Sequence, residues 1–174
     1  PALEDPPDVV DPLRRATADH LEYQGRLVLR DHQRKARTLA DLRRQRDTRA
    51  VGALVELEDL INKESVQIDL RQTLGREVVR HLEALGLPDE DLDQEIQNLL
   101  IERADALGMR LQLAAAARDR LQHQADSAKR IGATDKEQEI RPRLQAVTLR
   151  IDGIVVSLQK TADILQSLEI DTAE

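Results

Sequence analysis

The clearest hydrophobic pattern lies near the end of the chain, where Ile140, Leu144, Val147, Ile151, Ile154, Leu158, Thr161, Leu165 and Leu168 alternate four and three residues apart. Eight of these nine are aliphatic, and the heptad spacing predicts a helix that packs knobs-into-holes against at least one neighbour. Val155, Ala162 and Ile164 broaden the stripe, which favours a bundle over a two-stranded coil. Thr134 and Glu137 have the form of a capping box that would open this helix. It is expected to reach Leu168, with Pro142 loosening its first turns.

A looser stripe precedes it: Leu92, Ile96, Leu99, Leu107, Leu111, Ala114, Leu121, Ala125 and Ala128 predict a helix from Asp89 to Ile131, stopped by Gly132. The acids Asp89, Glu90, Asp91, Asp93 and Glu95 suit the positive end of its dipole, and the alanines at 114–117 let a neighbour approach closely. A third apolar face comes from Leu54, Leu57, Ile61, Ile68, Leu74 or Gly75, Val78, Leu82 and Leu85. It ends in Gly86-Leu87-Pro88: a left-handed residue, an apolar contact and a helix breaker in order.

Between 12 and 50 the apolar positions thin out after Leu13, Leu21, Tyr23, Leu27, Val28 and Leu29, leaving Leu39 and Leu42. Asp11-Pro12 has the form of an N-cap followed by a first-turn proline. No proline, paired glycine or turn cluster interrupts the chain from there to Leu85, and a lone Gly52 costs only about 1 kcal/mol. One helix from Pro12 to Leu85 is therefore expected, roughly 110 Å long, its first half projecting. The predicted fold is all-α: an elongated antiparallel helical bundle or coiled coil of three long helices, or four if the first splits near Gly52. Residues 1–11, with three prolines and four acids, read as a flexible acidic lead-in; 12–50 reads as a basic helical arm and 51–174 as an acidic helical bundle.

Composition narrows the chemistry. Among 174 residues there is one Tyr, no Phe, no Trp and no Cys, so the core is built from Leu, Ile, Val and Ala, and disulfides, cysteine zinc sites and thiol nucleophiles are excluded. No apolar run approaches the roughly 18 residues of a membrane span. No segment has the form of a signal peptide, and an opening at Pro1 without Met fits a processed or excised chain. A cytoplasmic setting is the default expectation.

Charge is segregated: eleven Lys and Arg face five acids between 12 and 50, whereas fifteen face twenty-four from 51 onward. The stretch RDHQRKARTLADLRRQR at 30–46 offers Arg34, Lys35, Arg37, Arg43, Arg44 and Arg46 as candidate polyanion contacts, and 30–49 as a phosphate-backbone surface. The plainer alternative is a solvated helix whose arginines lay their stems along a thin apolar strip. A single Tyr provides no stacking platform, and the whole chain carries a net charge of −7. A peripheral membrane scaffold is a further alternative, weakened because the basic segment lacks a broad apolar face.

Enzymatic and metal motifs fail on inspection. Asp89, Asp91 and Asp93 resemble the start of a calcium loop, but Gln94 stands where its glycine belongs and Leu100 where its glutamate belongs. His20, His32, His81 and His123 have no histidine partner at helical spacing. Pairs such as Glu56 with Asp59 or Glu137 with Glu139 are ordinary in a chain that is 34% charged. No cofactor, metal or catalytic residue is expected. The expectation is a non-catalytic structural or protein-interaction module acting through helix–helix association and self-associating. Replacing Ile151 and Leu158 together by Ala is expected to cost several kcal/mol, since single changes of this kind cost about 2 to 5. Urea unfolding measures it, and an unchanged midpoint would remove the seam.

Overall fold

Four helices and no strand form among the described residues. The structure, a computed structural model, describes the backbone of residues 7–48 and 53–171 and the side chains of 11–48 and 53–168. Helix α1 spans Pro7–Thr48, α2 Leu54–Ala84, α3 Glu90–Arg130 and α4 Thr134–Asp171.

The expected single helix from Pro12 to Leu85 does not form. Instead α1 and α2 run antiparallel: Lys35 pairs with Glu64, His32 lies beside Gln72, and Val28 faces Gly75. The basic segment is therefore a wall of the bundle and not a projecting arm. The reason lies in area. A continuous helix would leave Leu39 and Leu42 in water, whereas the hairpin packs them on Leu57, Ile61 and Ile68, at about 25 cal/mol for each Å² of apolar surface buried. The four-helix alternative is the one observed: α1 ends at Thr48 and α2 begins at Leu54, and residues 49–52 lie outside the described residues. The lead-in reading is also corrected in part. Helix α1 already includes Pro7, so Pro12 sits inside the helix and not at its first position. Residues 1–6 lie outside the described residues.

Two helix ends obey local rules. Gly86 and Gly132 both have φ near 70°, a conformation glycine adopts without steric cost. Leu87 N–H donates to the Leu82 carbonyl and Ala133 N–H to the Ala128 carbonyl, the six-to-one bond that closes a helix through a left-handed residue. Helix α3 opens with Asp89, whose side chain accepts from Leu92 N–H at 2.9 Å. Helix α4 opens differently from the capping box expected at Thr134. Its first turn bonds through the backbone, with Glu137 N–H donating to the Ala133 carbonyl at 3.1 Å.

Packing proceeds in two hairpins. Helices α3 and α4 pair antiparallel through Leu107, Leu111 and Ala114 against Ile151, Ile154 and Leu158. Helices α2 and α4 then run parallel, side by side, through Asn62 against Gly153 and Ser65 against Ser157. At one end all four helices share a core of Ala18, Leu29, Val79, Leu82, Leu92, Ile96 and Leu100, with Ile164, Leu165 and Leu168 packed on it. Along the C-terminal seam Val147, Ile154 and Thr161 are buried, and Ile140, Leu144, Ile151, Leu158, Leu165 and Leu168 are half-buried. In α2 Gly75 faces inward and Leu74 outward; in α3 Leu100 is buried more deeply than Leu99.

No helix among the described residues is long and apolar enough to cross a membrane. Leu82 lies at the centre of the four-helix core with 0% exposure. Leu82→Ala is expected to lower unfolding free energy by about 2 to 5 kcal/mol in denaturant titration. A loss below about 1 kcal/mol would mean that the end core does not pack as described.

Candidate functional site, an arginine-lined cavity between the hairpins

Midway along the bundle the aliphatic core divides. Leu39, Leu57, Ile61 and Ile68 belong to the α1–α2 hairpin, and Leu107, Ala114 and Ile154 to the α3–α4 hairpin. Between them α2 presents Glu58, Ser65, Asp69 and Gln72, all buried, at spacings that keep them on one helical side. Polar groups withdrawn from water need partners, and the neighbouring helices supply them.

Asp69, 2% exposed, accepts from Arg103 Nε at 2.8 Å and Nη2 at 2.5 Å, and from Ser157 Oγ at 2.8 Å. Because the one Ser157 hydroxyl proton goes to Asp69, the 2.9 Å contact between the two serine hydroxyls has Ser65 as its donor. Arg103 Nη2 in turn donates to Ser65 Oγ at 2.9 Å. Arg103, Ser65, Ser157 and Asp69 thus close a ring of bonds across α2, α3 and α4. Two turns along, Glu58, 0% exposed, accepts at Oε1 from Arg150 Nε at 2.8 Å, Arg150 Nη2 at 2.5 Å and Arg46 Nη1 at 3.4 Å. Its Oε2 is buried without a partner. Asn62 Nδ2 donates to the Leu149 carbonyl at 2.9 Å, and Gly153 leaves room for the Asn62 carboxamide, which a Cβ there would displace from this bond.

Beside this layer is a cavity of about 220 Å³ lined by Arg43 and Arg46 of α1, Asn62 and Ser65 of α2, Arg110 of α3 and Arg150 of α4. Ile61, Leu107, Ala114 and Ile154 form its apolar wall, and Leu113, 70% exposed, marks where it reaches the surface. Burial, with Arg110, Arg103 and Arg46 close by and only Glu58 opposing, pushes the Arg43 guanidinium down to about 9, still cationic at neutral pH. Burial first, then Arg103 and Arg46, lowers Arg110 as well.

The six cations singled out as polyanion contacts are dispersed by this arrangement. Arg34, Arg37 and Arg44 are exposed, with Arg34 paired to Asp31 and Arg44 to Asp41. Lys35 is tied to Glu64 at 3.1 Å and Arg46 to Glu58. Arg43 faces the cavity. They do not share one surface. Arg110 and Arg150, which complete the cavity, lie far along the chain in segments dominated by acids. Their only sequence signal was indirect: Glu58, Ser65, Asp69 and Gln72 continue the helical period of α2's apolar face, and Ser157 and Thr161 do so in α4.

No group of three or more His, Asp or Glu among the described residues is arranged to hold a metal ion. Comparison with protein-family models, curated proteins and solved structures finds no match.

His32, buried against Gln72, has its pKa lowered from 6.5, first by burial and then by Arg103 and Arg71, with Asp69 opposing. The neutral imidazole is thus the folded form. Its contribution is fully present above the unfolded pKa near 6.5 and is lost as pH falls below it towards the folded value. Stability is expected to decline as pH falls through and below about 6.5 with a slope of at most about 1.4 kcal/mol per pH unit, and His32→Gln is expected to flatten it. Thermal melts across that range decide it; an equal slope in the variant would place the titration elsewhere.

Proposed function

We propose that the chain is a non-catalytic helix–helix association module that pairs with a second copy of itself. The observation that supports this is a shallow outer groove between α1 and α2, about 390 Å³, into which Leu27, Leu70 and Leu74 are exposed. Tyr23, one helical turn before Leu27, extends the strip and is 60% exposed. Single exposed leucines are ordinary, but apolar side chains contiguous across two helices mark a surface that association would dry.

A second copy suits this strip because a two-fold contact sets a surface patch against itself. Helices α1 and α2 are antiparallel, so a related copy would bring Leu27 towards Leu70 and Leu74 in both directions at once. Flanking polar groups are already neutralised: Asp31 and Arg71, which border the groove, are paired with each other. A non-catalytic role is supported by the buried carboxylates Asp69 and Glu58, which are engaged by arginine and serine side chains within the bundle.

Light scattering over a range of concentrations tests the proposal. The mass is expected to rise from 19.6 kDa towards twice that value. Leu70→Glu with Leu74→Glu is expected to hold the chain monomeric with unchanged helicity, since both side chains are exposed. A strict monomer at every concentration, or a dimer indifferent to the double substitution, would remove this reading.

A further inference from the structure

We propose that the cavity bounded by Arg43, Arg46, Arg110 and Arg150 is a binding site for the phosphate group of a small molecule. Four guanidinium groups from three helices meet there. Among the described residues the carboxylates that meet these four are buried Glu58, whose Oε1 is shared between Arg46 and Arg150, and exposed Asp47, 3.6 Å from Arg46. Asp69, the next buried acid, is engaged by Arg103. Arg43 and Arg110 therefore line the cavity with neither an ion pair nor a hydrogen bond to a carboxylate among the described residues. The site carries a clear surplus of positive charge in a partly dry setting, where an anion is attracted more strongly than in water.

The shape of the donors selects the anion. A guanidinium offers N–H groups in a planar fork that matches the paired oxygens of phosphate. Asn62, which also lines the cavity, adds a neutral amide whose Nδ2 keeps one N–H beyond the bond to the Leu149 carbonyl. A volume of about 220 Å³ admits a phosphate with a short organic body but no large ligand. The remaining wall is aliphatic, from Ile61, Leu107 and Ile154, with no aromatic ring to stack on a base. A phosphate monoester of a small aliphatic compound fits this lining, and so does the phosphate ion alone.

The anion would also act on the fold. Arg43 lies on α1 and Arg110 on α3, and the close contacts between these two helices gather at the other end of the bundle, where Gly25 meets Leu92 and Arg26 meets Asp89 and Glu95. A dianion between Arg43 and Arg110 would convert a mutual repulsion into a bridge between the hairpins.

Calorimetric titration of the full chain with inorganic phosphate and with butyl phosphate, at constant ionic strength set by sodium chloride, tests the site. Saturable binding is expected for both, with a rise in melting temperature. Arg43→Gln and Arg110→Gln are each expected to weaken it roughly ten- to hundredfold, as loss of a charge-assisted contact should. Both variants are expected to melt at or above the parent temperature without phosphate, because each removes a cation that repels its neighbours. A purely structural arginine would do the opposite. Arg34→Gln and Arg37→Gln, on the exposed face, are expected to bind as the parent does. Tighter binding of butyl phosphate assigns the aliphatic wall to the ligand's body; equal binding assigns the site to the phosphate group alone. Should either glutamine variant fail to fold, Arg43→Lys keeps the charge, removes the fork and is expected to weaken binding several-fold. No saturable binding, binding unchanged by substitution of Arg43 and Arg110, or equal stabilisation by chloride would overturn the proposal.

Discussion

Two carboxylates withdrawn from water between α2 and α4 set the terms on which the four helices meet. A buried charge that loses its partner costs several kcal/mol, far more than a slightly misfitted leucine. Asp69 and Glu58 therefore fix the register of α4 against α2: displacement by one turn, about 5.4 Å, would carry Ser157 away from Asp69 and Arg150 away from Glu58. The aliphatic positions of α4 repeat every seven residues and would tolerate such a slip with modest repacking. Burial of Leu, Ile and Val supplies the bulk of the stabilisation. The polar ring selects one arrangement among several that burial alone would permit.

That division explains why the core is not continuous. Where all four helices converge, around Leu82, Leu92 and Leu100, the contacts are aliphatic and close. Towards the middle, two separate two-helix seams face one another across Ser65, Asp69, Ser157 and the arginines. With no Phe or Trp in the chain, nothing large enough bridges the gap apolarly. Long cationic side chains do so instead, their ends on carboxylates or in the cavity.

Much of the fold was legible in the sequence, and the parts that were not share a cause. The seam from Ile140 to Leu168, the stops at Gly86 and Gly132 and the all-helical class follow from spacing and from local backbone rules. The turn-back of α1 onto α2 stood only as the alternative to one continuous helix, because helix propensity across 12–85 has no strong local breaker; the decision belongs to the pairing of Leu39 and Leu42 with Leu57 and Ile61, a long-range gain in buried area. Pro12 misled in a similar way, since it sits inside α1 and not at its first position. The cavity was less legible still. Arg43 and Arg46 stood out for their local charge density, but nothing near Arg110 or Arg150 marks them, and only tertiary register brings them to the same place. Buried Glu58 and Asp69 were visible solely as polar residues keeping an apolar period.

The parallel contact between α2 and α4 also bears on how the chain reaches this state. Side-chain hydrogen bonds inside the first hairpin join residues 12 to 40 apart, such as Arg46 with Glu58, Lys35 with Glu64 and Arg71 with Asp31, whereas Ser65 meets Ser157 across 92 residues and Ser157 meets Asp69 across 88. Closing a longer loop costs more entropy, so nearby partners meet first. Each helical hairpin can thus assemble on its own, and the ring of Arg103, Ser65, Ser157 and Asp69 closes only when the two halves dock. Until then both carboxylates remain hydrated, and desolvating them belongs to the docking step. Docking places a polar checkpoint late on the folding route: hairpins that meet in the wrong register leave Asp69 without Arg103 and Ser157 and Glu58 without Arg150, and separate again.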